Sequence, residues 1–335
     1  MFKKLSPIVP LLILATANTL LASIYSWDGG GSNDNFGNSA NWNPNLPSGQ
    51  SLGPEDIVAF DGNFLDPIDR AVPVTFASDQ SVASLIVTTR AYNGILDPFP
   101  IKPGVTMDLN QHELDITYDV LVGSGFLPGQ LQITDGTINA AFATVSNNSH
   151  LNIEHGGILD VTDFQAPYLD VQSSQNITVN ANGQLMADNV YLIPANGTVQ
   201  MGAGTSADGP GTIVTDSVNV GMTSGGTSAW TSISVGGQNS TWTNSGNVTV
   251  EGGTNQPNEL DVDSLGQMQI GGDLRVGETA QGLVDLKNYG ILHVDGTITL
   301  GGAGGTGSIE TENSLLDAGA IEVHRGSLVI DQTMT

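Results

Sequence analysis

The 335-residue chain contains no cysteine. That excludes a disulfide framework, a thiolate metal site and a thiol nucleophile, and leaves burial and backbone pairing to hold the fold together. Positive charge is almost as scarce, with 8 Lys and Arg against 34 Asp and Glu and a formal net charge of -26. Nucleic-acid binding needs a basic footprint that displaces counterions from phosphate, so no nucleic acid is expected as a partner. Anionic membrane surfaces fall on the same ground. Helical periodicity is missing too: no window places apolar residues at i, i+3, i+4 and i+7 for three turns. Charged residues, at 13 %, are few for a helical surface. What remains is abundant glycine, 43 residues, and a hydrophobic fraction of 39 %, enough for a core.

The first 23 residues read as an address. Lys3 and Lys4 precede an apolar run from Ile8 to Ala15, and small residues follow at Ala15, Ala17, Ala22 and Ser23, the layout of a secretory signal peptide. A membrane anchor needs about 20 apolar residues in a row, whereas Pro10, Thr16, Asn18 and Thr19 interrupt this one. Cleavage is expected after Ala17 or near Ser23. Losing Lys3 and Lys4 leaves 6 basic against 34 acidic residues, net -28. No second apolar segment follows, so the mature chain is expected outside the cell and without membrane insertion.

Apolar and polar residues alternate with period two throughout, between clusters of Gly, Asn, Asp, Ser and Pro, the pattern of short strands. The alternation also repeats. Residues 266–277 read GQMQIGGDLRVG, residues 290–301 GILHVDGTITLG and residues 319–330 GAIEVHRGSLVI, each a doubled unit of Gly, any, apolar, any, apolar. GLVDL at 282–286 and GSIET at 307–311 add a third unit, so Gly266, Gly272 and Gly282 are answered by Gly290, Gly296 and Gly307. The period is 24 to 25 residues, expected to lengthen to 29 at Gly319 with Thr311 to Ala318 as a longer loop.

Three short strands per period predict a parallel β-helix. Ile270, Val294 and Val323 then form one inward row, and Val276, Leu300 and Ile330 another. Gln269, His293 and Glu322 point outward on one face, Arg275, Thr299 and Val329 on the next. Glycine is expected at the corners to supply positive φ. The same grammar recurs in looser form at 129–133, 136–140, 157–161, 183–187, 197–201 and 246–250. The solenoid is assigned to 66–335, most regular at 233–335. A propeller blade would need about 40 residues and four antiparallel strands, and no hairpin dipeptide occurs at that spacing.

Residues 24–65 differ, with Trp27 and Trp42 set among Gly, Asn and Ser. An open solenoid end exposes a sheet edge and an apolar cross-section, so this segment reads as an N-terminal cap. The alternative makes Trp27 and Trp42 a sugar-stacking platform. At the other end the unit 326–330 leaves Leu328 and Ile330 partly open, which predicts either that the chain naturally continues or that it self-associates end to end through the last rung.

The opening WDGG, NW and DIVAFDG resembles the N-terminal segment of bacterial passenger proteins with autotransporter-associated β-strand repeats. Residues 233–253, ISVGGQNSTWTNSGNVTVEGG, with LGQMQIGGDLRVG and GLVDLKNYGILHVDG, are similar to the repeat shared by type V secretion passengers and PEP-CTERM surface proteins. There a Ser-any-Trp element, here Ser240, Thr241 and Trp242, precedes paired Gly-started strands. The likeness covers about 65 residues well and the remainder by grammar alone. It implies a secreted or surface-exposed right-handed β-helix with no known catalysis, and it transfers no functional site. The sequence departs from both families at its end, where neither a C-terminal β-barrel nor an apolar helix with a basic tail is visible. Free secretion and a fragment are the two alternatives.

β-Helices also serve as polysaccharide lyases and hydrolases. A lyase needs Asp-bound Ca²⁺ and a basic side chain, and the mature chain offers Arg70, Arg90, Lys102, Arg275, Lys287 and Arg325. A hydrolase needs carboxylates about 5 to 10 Å apart, for which Asp261 and Asp263, flanking Val262, are the best outward pair. The same two are the candidates for Ca²⁺, although the nonapeptide Ca²⁺ repeat is absent, since GGAGGTGSI at 301–309 has Thr where Asp is required. His112, His150, His155, His293 and His324 show no metal spacing. The expectation is therefore an all-β, right-handed parallel β-helix (solenoid) with an N-terminal cap, without catalytic residues or cofactor, structural or adhesin-like. Surface glycans or matrix polysaccharide are its expected partners. The alternative is a carbohydrate-active enzyme or a glycan-binding module.

Overall fold

Strands whose apolar residues alternate need a core on one side and a hydrogen-bonded neighbour on each edge. This chain obtains both by coiling on itself. The structure, a computed structural model, describes residues 23–31, 33–47, 50–60, 72–88, 104–123, 128–146, 149–166, 173–192, 196–204, 209–220, 228–252, 257–302 and 304–331. The signal-peptide reading, Ser23 excepted, lies outside the described residues, as do positions 61–65 of the expected cap. Apart from a three-residue 3-10 turn, Ser39–Asn41, the regular elements are all strands. They form a parallel β-solenoid with three faces.

Face 1 stacks Val72–Thr75, Val105–Asp108, 131–134, 150–153, 176–179, 200–203, 232–235, Asn258–Asp263, Gln281–Leu286, Thr306–Glu312 and Gly326–Asp331, each parallel to the next. Face 2 runs from Gln80–Val82 to 315–318 and face 3 from Ile24–Trp27 to 321–323, again parallel at each step. Among the described strands the antiparallel pairing joins Ile24–Trp27 to Trp42–Asn43. A propeller, which needs antiparallel blades, is excluded.

The register agrees with the repeat up to residue 311. Gln267 pairs with Ile291, Leu274 with Ile298 and Gly282 with Gly307, so Ile270 stacks on Val294 and Val276 on Leu300. Beyond that point the expectation fails. Val294 is continued by Ala318, not Val323, and Leu300 by Val323, not Ile330. Ile330 lies on face 1 beside Thr311, and Val329 beside Glu310. Residues Leu315–Val323 are a strand, not a loop, and the period shortens instead of lengthening: Ile291 lies opposite Leu315, 24 residues on, Ile298 opposite Ile321, 23 on, and Gly307 opposite Gly326, 19 on. The physical reason is that backbone pairing carries the coil. Leu315 follows Ser314, without a glycine to mark the start, yet its N–H bonds the Gly290 carbonyl at 3.0 Å.

Corner glycines supply positive φ as expected at Gly156, Gly204 and Gly237, but three turns between faces 1 and 2 use glycine differently. Gly183, Gly266 and Gly290 close turns onto Asn180, Asp263 and Lys287, at 2.7, 2.8 and 3.0 Å. Positive φ belongs to the two residues inside each turn: Ala181 and Asn182 at 47° and 67°, Ser264 and Leu265 at 52° and 69°, Asn288 and Tyr289 at 50° and 69°. This is the signature of a type I′ turn. The closing glycine answers a different need. A Cβ on Gly290 would lie 2.1 Å from the Val262 carbonyl oxygen, and one on Gly266 2.3 Å from that of Val235. Left-handed glycine occurs at both corners, at Gly156, Gly204 and Gly237 between faces 1 and 2 and at Gly277 and Gly301 between faces 3 and 1. The corner between faces 3 and 1 also varies most in length, from residues 88–104 between Val87 and Val105 to His324 and Arg325 alone before Gly326.

Leu, Ile and Val fill the interior, and Trp242 joins them between Ile213 and Met268. Its Nε1 donates to Thr215 Oγ1 at 2.9 Å, that hydroxyl donates to Asn244 Oδ1 at 2.9 Å, and Asn244 Nδ2 donates to the Gly246 carbonyl at 2.7 Å. A buried indole is tolerated because its N–H is satisfied. At the N-terminal end Trp27, Phe36, Trp42, Phe60 and Phe76 close the core with ring centroids 4.7 to 5.7 Å apart. Backbone bonds between Thr75 and residues Asp34 and Phe36 cover the first edge of face 1. Ile24–Trp27 and Ile57–Phe60 continue the face 3 ladder, so the cap is the first coil of the solenoid itself. In the last coil Leu316, Ala318 and Leu328 are partly buried, while Ile321, Val323 and Ile330 are exposed.

The crowding at the first corner is testable. Gly290→Ala should lower stability in urea titration by about 1–3 kcal/mol, the usual cost of overpacking. Gly53→Ala, whose Cβ would meet nothing nearer than the Asp56 carboxylate at 3.7 Å, should change it by less than about 0.5 kcal/mol.

Candidate functional site

Period two puts Asp261 and Asp263 on the outer side of face 1, either side of buried Val262. The parallel ladder sets Asp261 beside Asp285 of the next coil. Two stacked carboxylates repel, and Lys287 answers them: its Nζ lies 3.2 Å from Asp261 Oδ1 and 3.0 Å from Asp285 Oδ2. Burial pushes the Asp261 carboxyl above its ordinary range, with Lys287 opposing, and burial together with the Asp261 charge does the same to Glu259. Burial works against the Lys287 ammonium as well, but the hydrogen bonds and charges of Asp285 and Asp261 outweigh it and hold its pKa high. Asp263 accepts from Asn288 Nδ2 at 2.8 Å and Ser264 Oγ at 3.0 Å. The ammonium sits between Asp261 and Asp285, where an acid–base pair would need its substrate.

Two depressions in the surface hold outward carboxylates. A hollow of about 380 Å³ on face 1 is lined by Asp261, Asp263, Ser264, Ser234 and three glycines, Gly204, Gly236 and Gly237. A more open groove of about 500 Å³ crosses the corner of faces 2 and 3, with Asp115, Asn139, Asp160, Asp188, Thr117 and Thr162. Sequence reasoning missed this groove. Asp115, Asn139 and Asp160 share one outward row, a signal legible only with the register of the earlier, looser coils in hand.

Trp27 and Trp42 are 2 % and 0 % exposed, so they hold the end of the core and present no face to a sugar. Among the described residues the exposed aromatics are Tyr118, Phe142 and Tyr289, none of which the sequence reading selected. Arg275 contacts Glu278 at 3.8 Å. Arg325 lies at the last corner, and Arg70, Arg90 and Lys102 lie outside the described residues. His150 is half-buried, which lowers its pKa. Among the described residues no three or more His, Cys, Asp or Glu are grouped to hold a metal, and no helix is long and apolar enough to cross a membrane. No protein-family model matches the chain, and neither a curated protein nor a solved structure matches it.

His293 is the most strongly engaged histidine. Nε2 meets Asp295 Oδ1 at 2.7 Å and Nδ1 meets Asp317 Oδ2 at 2.8 Å, so the ring ties its own coil to the last one. Both contacts are donations only when the ring is an imidazolium. The hydrogen bonds to Asp295 and then Asp317 raise its pKa above the ordinary 6.5. Uncharged Gln269 lies beside it on the preceding coil.

Two outcomes follow. Trp42→Ala should cost about 3–5 kcal/mol of stability in denaturant titration, with no change in glycan affinity. For His293 the folded pKa exceeds the unfolded one, so its stabilisation is complete below pH 6.5 and is lost as pH rises through the folded pKa. Amide protection of 315–323, measured against that of 267–276, should therefore fall as pH rises beyond 6.5, and His293→Gln should remove the pH dependence.

Proposed function

We propose that the chain is a non-catalytic, secreted or cell-surface solenoid that acts as a rigid spacer or adhesin-like passenger, of the kind carried by bacterial autotransporter-associated and PEP-CTERM-type repeats. The supporting observation is what its outward polar side chains do. Asn139 donates to Asp115 at 2.9 Å, Thr106 to Gln132 at 3.0 Å, Thr178 to Asn152 at 2.7 Å, Asn189 to Asp163 at 2.8 Å and Ser217 to Asn189 at 2.8 Å. Gln132 in turn bonds Glu154. Each bond joins one coil to the next. The side chains brace the surface lengthwise instead of converging on a reacting centre, which suits a rod.

The net charge of -26 disfavours acidic polymers at short range, so the glycan partners of this reading are neutral surface or matrix polysaccharides. End-to-end contact through the exposed Ile321, Val323 and Ile330 belongs to the same reading. A carbohydrate-active enzyme is the rival, and Lys287 between Asp261 and Asp285 counts against it.

Purified protein incubated with acidic and neutral polysaccharides should release no product, and should sediment with insoluble neutral glycans. Turnover that Asp261→Ala abolishes would overturn the reading in favour of the enzyme.

A further inference from the structure

The last coil exposes what the earlier coils hide. Leu316 and Ala318 on face 2, Ile321 and Val323 on face 3, and Leu328 and Ile330 on face 1 continue the buried inward rows of the coil before. Yet Ile321, Val323 and Ile330 stand exposed, and the other three are only partly buried. Their backbone is open as well. In a ladder, alternate residues bond one neighbouring strand or the other. Leu315 N–H donates back to the Gly290 carbonyl at 3.0 Å, His324 N–H donates to the Leu300 carbonyl at 2.9 Å, and the Asp331 carbonyl accepts from the Asn313 N–H at 3.3 Å. By alternation, the N–H and C=O groups turned away from the preceding coil belong to those same six apolar residues.

The opposite end is closed. Thr75, in the first strand of face 1, shares backbone bonds with Asp34 and Phe36 at 2.8 and 2.9 Å, and Trp42–Asn43 runs antiparallel along the outer edge of Ile24–Trp27 on face 3. With those edges occupied, stacking the first coil of one copy on the last coil of another would leave faces 1 and 3 without strand pairing. A second last coil has no such obstacle, because it offers the same three edges and the same apolar cross-section. The two rods then meet about a two-fold axis perpendicular to their length. That rotation reverses strand direction, so face 1 meets itself antiparallel and face 2 meets face 3.

We propose that the last coil binds the last coil of a second copy of this chain, forming a closed two-fold dimer of rods. One register satisfies all three faces. Val329 lies opposite itself on the axis, Leu328 opposite Ile330, Leu316 opposite Val323 and Ala318 opposite Ile321. In each apolar pair both side chains then point inward and both backbones face the other copy, which is the hydrogen-bonded pairing of an antiparallel ladder. On the outer side Asp317 meets Glu322, and like charges directly opposite weaken the contact. The dimer gives the end-to-end contact of the proposed function a geometry and rests on that part of the reading alone, since glycan binding does not depend on it.

Sedimentation equilibrium of the whole chain tests this. A monomer–dimer equilibrium that stops at two copies is expected, tightening with added salt, which screens Asp317 from Glu322 and one acidic rod from the other. Ile330→Asp, a charge set into the apolar contact, should weaken the dimer by about tenfold or more. The chain has no cysteine, so Val329→Cys introduces a single thiol. Across the axis its Cα would face its equivalent at about 4.5 Å, within disulfide reach, and mild oxidation should yield one cross-linked dimer. Tyr118→Cys, at a position 60 % exposed against 50 % for Val329, should yield none. These two thiols decide the matter even where Ile330→Asp disturbs the last coil. A monomer up to about 1 mM, oligomers that grow beyond two copies, or equal cross-linking of the two thiols would overturn the dimer, and glycan co-sedimentation would stand untouched by any of the three.

Discussion

Parallel backbone pairing from one coil to the next, at a spacing of roughly 4.8 Å, is the constraint on which the rest of this molecule depends. It makes each residue the close neighbour of its equivalents 24 or so positions away, so every chemical choice is felt twice, once per edge. An inward position must be apolar because the coils above and below are apolar there. An outward position must tolerate its own kind at short range, and rows of Asp, Asn, Thr and Ser do so by bonding lengthwise. Where two carboxylates coincide, at Asp261 and Asp285, a lysine is placed between them. Where a corner carbonyl presses on the next coil, a side chain is excluded and glycine stays.

The same spacing limits what the core can hold. A narrow prism of Leu, Ile and Val has little room for polar groups, and two sets of those admitted are tied into networks. Trp242, Thr215 and Asn244 form one closed chain of donors and acceptors. Asn258, 1 % exposed, accepts from the Thr231 N–H at 2.9 Å and donates to the Glu251 carbonyl at 2.6 Å. The Glu251 carboxylate, itself buried, collects backbone N–H groups of Glu278, Thr279 and Ala280 from the following coil. Each device pins a corner that lacks regular strand pairing.

Period two and the Gly-started units made the fold class, the three faces and the pairing up to residue 311 legible in the sequence. The last coil was not, because Leu315 follows Ser314 and glycine had been taken as the marker of a strand start, when it marks crowding at a corner. Asp261 and Asp263 were readable as a shared face from two letters and the strand period. Lys287 was not, since it stands two residues from Asp285 but 26 from Asp261, and only the register that pairs those two aspartates brings both within its reach. The hollow on face 1 was hidden for a similar reason. Gly204 and Gly236 are 32 residues apart across one ladder step, a period stretched well beyond the regular one, and nothing local in either segment announces that they adjoin.

The uneven corner between faces 3 and 1 has a consequence for how such a chain can be altered. Its connections range from two residues to a long excursion while the flanking ladders keep their pairing, so length is absorbed there without a change of register. Segments grafted at this edge would emerge on the same side of the rod, one above another at intervals of a single coil, while the turns closed by Gly183, Gly266 and Gly290 on the opposite corner, where a side chain would meet the backbone of the preceding coil, would stay as they are. The molecule thus has a margin that can be written on and fixed points that cannot.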